Sequence, residues 1–157
     1  MPVLNPLLPT TADNNYHGSK IALVVFGLLL LLKTAVSFGS IFNGYNAATS
    51  ADGIPIDTFT PAGAQTVLSL FALLGLANLI VCLAGIVTLA RYRSLVPVMF
   101  VLFLIYQVGR NLVLELLPVA RVGTPPGGMI NLVILGVIII GLALSLWTPG
   151  NGRHERK

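Results

Sequence analysis

The chain has 157 residues, of which 55% are hydrophobic and only 9% charged, with a net charge of +4. A soluble domain carries roughly 25% charged residues, so a water-covered globule of this composition lacks the polar surface to enclose its core, and the length suits one compact unit rather than two. The basic excess forms no stripe interleaved with aromatics, which argues against a nucleic-acid partner.

Residues 1–20 form an N-terminal arm. Pro2, Pro6 and Pro9 and the polar run at 10–15 predict an extended, disordered segment, and no basic stretch opens it as in a secretory signal peptide. Tyr16, His17 and Lys20 then fall at a membrane edge. Span one covers residues 21–42, a length that rises about 30 Å as a helix and matches the hydrocarbon layer. Lys33 lies ~18 Å along it, at about 1.5 Å per residue. That lysine interrupts the apolar run and argues against reading the span as a cleaved signal sequence.

Residues 43–62 make the longest loop, rich in Asn, Gly, Asp, Pro and Thr and free of Lys and Arg. Asp52-Gly53 signals a turn. Thr60 followed by Pro61 reads as a helix start, with Thr60 as N-cap. Asp52 and Asp57 are candidates for a cation or a basic partner, although loop aspartates more often cap and turn.

Span two covers residues 63–90. Gly75, Asn78, Cys82 and Gly85 are spaced by three, four and three, which places them on one helix face. Small residues there let a neighbouring helix approach, with Asn78 bonding across the contact. Cys82 is the only cysteine, so it forms neither an internal disulfide nor a CxxC pair, and it reads as a packing residue. Arg91, Tyr92 and Arg93 close the span.

Span three, residues 95–117, is apolar enough to cross, yet its second half carries Gln107, Arg110, Asn111 and Glu115. Lipid does not accept such groups pointing outward, so they face protein, water or a ligand. Pro97 lies in its first turn and Pro118 ends it. Span four, residues 129–147, has Asn131 near its start and Ser145 near its end. It has the character of the most lipid-exposed helix. Trp147 marks an interface, and residues 148–157 form a basic tail.

The fold expected is therefore all-α, an integral membrane bundle of four transmembrane helices. Lys20, Arg91, Arg93, Arg153, Arg156 and Lys157 flank one side, whereas Arg121 alone flanks the other. The positive-inside rule places both termini in the cytoplasm, most naturally of a bacterial inner membrane. In hydropathy and loop lengths across residues 20–147, the layout is similar to small bacterial four-helix membrane proteins of the DoxX-like kind. No motif in the chain carries a function over from them.

Enzyme signatures are missing. His17 and His154 both lie outside the spans, so neither ligates haem within the bilayer, and no metal cluster, GxSxG, HExxH, Walker or dinucleotide motif is present. No cofactor is expected. Lys33, Gln107, Arg110, Asn111 and Glu115 are the candidate ligand-binding residues, a polar group in the outer half of the membrane. A structural reading pairs Glu115 with Arg110, Lys33 or Arg121 and leaves the amides as interhelical glue. A functional reading notes two intramembrane cations against one carboxylate and assigns them an anionic or amphipathic ligand. The first function expected is a non-catalytic accessory or scaffold subunit that packs against itself or a larger membrane complex, in contact with membrane lipids. The alternative is a small binding or transport module.

Overall fold

The computed structural model describes residue 7, residue 9 and residues 11–147. The arm's first prolines and the basic tail, with His154, Arg153, Arg156 and Lys157, lie outside the described residues. Among those described the chain is helical, without strands. Its four long helices are α1 (Lys20–Phe42), α2 (Pro61–Arg91), α3 (Val96–Leu116) and α4 (Gly127–Leu146). All four are long and apolar enough to cross a membrane.

Each start has a local cause. The Ser19 hydroxyl accepts the Ile21 N–H at 3.3 Å and caps α1. Thr60 accepts the Gly63 N–H at 3.2 Å, and Pro61, with no N–H to satisfy, opens α2. A single 3-10 turn, Arg93–Leu95, redirects the chain from α2 into α3.

The helix α1 is the hub. It packs most extensively against α2 and next against α4, while α3 lies along α4. The main core forms where these helices converge. Phe26 meets Phe100 edge-on at 5.0 Å between ring centroids and Phe103 at 6.1 Å, with Ala22, Leu29, Cys82, Val96, Met99 and Ile138 packed around them. A Cβ on Gly141 would fall inside the contact surface of the Phe100 ring, so glycine lets α4 reach that aromatic.

Two expectations need correction here. The arm was expected to be disordered, but residues 11–19 strap across the end of the bundle. The Asp13 N–H donates to the Ser94 hydroxyl at 3.0 Å, the Ser94 hydroxyl donates to the Asp13 carbonyl at 2.9 Å, and the Ser19 N–H donates to the Leu144 carbonyl at 3.2 Å. A segment with few apolar residues is held by these bonds, which sequence composition does not disclose. The Asn15 N–H donates to the Asp13 carboxylate and holds it below the usual carboxyl range.

The second concerns lipid exposure. Span four was expected to be the most exposed helix, yet 17% of the most apolar 18-residue stretch of α2 is buried against 22% for α4, so α2 is at least as open as α4 within the bundle. The reason is topological, since α4 lies between α1 and α3, whereas α2 leans chiefly on α1.

At the opposite end, the 43–60 loop is folded rather than slack. Ala48, Ile54 and Ile56 are buried against Val67, Leu68 and Phe71 in a second, smaller core. The 31 residues of α2 rise about 46 Å, more than the ~30 Å hydrocarbon layer, and its first turns supply this outlying cluster. The Tyr45 hydroxyl donates to both Asp57 carboxylate oxygens, at 2.9 and 3.1 Å, which pushes the tyrosine's pKa up and ties the loop to itself.

Candidate functional site

A polar cleft opens at the loop end, where α3 finishes and α4 begins. Its volume is about 400 Å³, and Asp52, Arg110, Asn111, Glu115, Arg121 and Asn131 supply its polar wall. Leu114, Leu132 and Val119 supply the apolar one.

Backbone turns position the loop's contribution. A wide turn over Ala47–Ala51 ends where the Asp52 N–H donates to the Ala47 carbonyl. Gly53 follows at φ +71°, a left-handed conformation that suits glycine. Its carbonyl accepts the Val122 N–H at 2.8 Å, which docks one loop on the other and carries Asp52 over the end of α3. Gly127 fits closely beneath Ala51 and Asp52, where a Cβ would collide with both.

Arg110 reaches Asp52 at 3.9 Å between Nη2 and Oδ1, with side chains 28% and 24% exposed. A single long contact at that exposure is a weak ion pair, not a bidentate clamp. It is the only ion pair among the described residues, so the pairings of Glu115 expected from sequence, with Arg110, Lys33 or Arg121, do not form there. Arg110 and Glu115 stand five residues apart on α3, too far round the helix to meet, and the loop aspartate takes the arginine instead.

Three of the five candidate residues thus line the cleft: Arg110, Asn111 and Glu115. Gln107 is 1% exposed and lies out of the wall. Its Nε2 donates to the carbonyl and to Oδ1 of Asn131, both at 3.3 Å, while Asn131 Nδ2 donates to the Gly127 carbonyl at 2.7 Å. This amide chain pins the first turns of α4 to α3. Lys33 does not line the cleft and is 5% exposed. Its ammonium lies 5.3 Å from the centroid of Phe103 and 5.1 Å from that of Tyr106. Desolvated cation–π contacts of this kind contribute about 2 kcal/mol.

The small-residue face of α2 turns to α1. Gly75, Cys82 and Gly85 are buried there. A Cβ on Gly75 would meet the Ser37 carbonyl oxygen at 3.0 Å, and one on Gly85 would press on Leu30. Asn78 Nδ2 donates to the Ser37 hydroxyl at 2.6 Å and to the Lys33 carbonyl at 3.4 Å. These contacts make the seam a helix contact rather than a cavity.

Asp52, Asn131 and Arg121 complete the cleft and were not among the five candidates. The signal for Asp52 was its place beside the Gly53 turn. For Asn131 it was being the one amide in the first half of span four. Among the described residues, no three of His, Cys, Asp and Glu gather as metal ligands would.

The chain matches no protein-family model, no curated protein and no solved structure. The DoxX-like hydropathy and loop lengths therefore stand without a family assignment. The class defined by the structure is a helical protein with four helices apolar enough to span a membrane, carrying a polar cleft where α3 finishes and α4 begins.

Proposed function

We propose that the protein is a non-catalytic integral membrane protein that binds an amphipathic ligand in this cleft. The observation that carries the reading is the pairing, in one 400 Å³ space, of a charged and amide-lined wall with an apolar wall at the ends of two membrane-length helices. Such volumes fall within the ~300–1,000 Å³ of ligand pockets. An ion or a purely apolar guest would use only half of the lining. By the distribution of Lys and Arg, the cleft faces the outer side of a bacterial cytoplasmic membrane and both termini face the cytoplasm.

Purification of the full chain in native lipid, with mass spectrometry of retained small molecules, tests the reading. A stoichiometric amphiphile lost on Arg110→Leu is the expected result, and retention unchanged by that substitution would overturn it. Orientation is tested with Thr58→Cys in a Cys82→Ala background: an impermeant thiol reagent labels it from outside, and labelling from the cytoplasm reverses the topology.

The accessory or scaffold reading keeps support from a different observation. Lys33 has no carboxylate partner among the described residues, and α2 leaves Leu73, Leu76, Ile80 and Leu83 on its open face. A second protein retained in stoichiometric amount, through contacts that Leu76→Arg or Ile80→Arg abolishes, would favour that role over the cleft.

A further inference from the structure

We infer that the ligand of the cleft is a zwitterionic phospholipid, with its phosphate toward Arg110 and Arg121 and its ammonium toward Glu115. This rests on the ligand-binding reading above and narrows it to a chemical class.

Two cations in the outer half of the membrane facing one carboxylate would favour a simple anion, but the structure changes that balance. Lys33 does not line the cleft, and its ammonium lies against the rings of Phe103 and Tyr106. Asp52 is brought in beside Arg110. The wall then holds Asp52 and Glu115 against Arg110 and Arg121 and carries no net charge. A ligand bearing only negative charge would set it against two carboxylates, whereas a zwitterion offers each end an opposite partner.

Depth supplies the second step. Arg110 and Glu115 are five residues apart on α3, about 7.5 Å along its axis. Arg110 is the deeper and Glu115 the nearer to the loop surface. In phosphatidylethanolamine or phosphatidylcholine, the phosphate adjoins the glycerol and the ammonium lies beyond it, further from the acyl chains. A lipid of the leaflet at the loop end therefore presents its charges in the order that α3 presents the opposite ones. Asn111, next to Arg110 on α3, adds an amide to the same wall. Leu114 and Leu132 continue from the cleft toward the apolar helix faces, where acyl chains would run. That continuity favours a lipid over a free zwitterion of the same headgroup chemistry.

The test uses the full chain in detergent with equimolar phosphatidylethanolamine and phosphatidylglycerol, counted by native mass spectrometry. One phosphatidylethanolamine per protein, preferred roughly tenfold, is expected, since a charge-assisted hydrogen bond contributes on that scale. Glu115→Lys should invert the preference toward phosphatidylglycerol, and Arg121→Gln should weaken both lipids. Glu115 and Arg121 are exposed, so these variants leave the core intact. Wild-type preference for phosphatidylglycerol that still depends on Arg121 would overturn the zwitterion and leave the binding cleft standing. Retention indifferent to both substitutions would overturn the class and the cleft together. Displacement of the bound lipid by water-soluble glycerophosphoethanolamine at equal concentration would overturn the lipid as source.

Discussion

At the strap end, residues 11–19 lie across the helix ends, Ser94 bonds to Asp13 three times over, and Phe26, Phe100 and Phe103 fill the space beneath. At the loop end, α3 and α4 leave a cleft between them, and the polar side chains of both helices gather around it. The two ends use different means to close. Aromatic packing admits neither water nor ligand, while amides and a long ion pair hold helices together without filling the space. On the proposed reading, stability belongs mainly to the first end and recognition to the second.

Glycines on α4 offer the sharpest contrast. Gly141 faces the Phe100 ring with no room for a Cβ, whereas Gly128, in the cleft wall, has nothing within 4 Å of that position. Gly141→Ala should destabilise by about 1–3 kcal/mol through overpacking. Gly128→Ala should be neutral or gain about 0.5–1 kcal/mol from reduced unfolded-state entropy. Unfolding in mixed micelles measures both, and equal losses at the two positions would erase the distinction between the ends.

The amide chain comes next in size. If Gln107 and Asn131 hold α4 to α3 beside the cleft, a double-mutant cycle of Gln107→Leu and Asn131→Leu should give a coupling of about 0.6–1.7 kcal/mol, the range of polar contacts between membrane helices. Additive losses would mean that the helices are held by apolar contacts alone. Ser94→Ala should cost about 1 kcal/mol at the other end and speed proteolysis within residues 11–19. Unchanged proteolysis would show that the strap does not depend on this hydroxyl.

Much of this was legible in the sequence, and the misses share a cause. Four apolar stretches, Thr60 with Pro61, and the three-four-three spacing of Gly75, Asn78, Cys82 and Gly85 are local patterns along single helices. Periodicity reports them without knowledge of neighbours. The position of Asp52 is not local, because it depends on Gly53 and Val122 docking two loops together. Lys33 could be read as polar and deep, but whether it joined the cleft or lay beneath Phe103 and Tyr106 depends on how α1 rotates against α3. The strap was invisible for the same reason: Ser94 and Asp13 are 81 residues apart.

Tyr16 gives the smallest effect and the most selective probe of the strap. Its hydroxyl is buried without a hydrogen-bond partner among the described residues, and burial pushes its pKa up to about 12 from 10.0. Because the folded state holds the proton more tightly, the contribution of Tyr16 is fully present below pH 10 and is lost as pH rises toward 12. Tyr16→Phe removes the ionising group along with the unpaired hydroxyl. At neutral pH the variant should match or slightly exceed the wild type, since an unsatisfied buried hydroxyl is itself costly. Above pH 10 the wild type should lose stability that the variant keeps. Tyr45, whose pKa is raised by Asp57 at the other end, titrates in both proteins and cancels from the difference. A difference curve flat from pH 8 to about 12 would mean that Tyr16 is solvated and the strap is open, leaving the aromatic core as the only seal at that end.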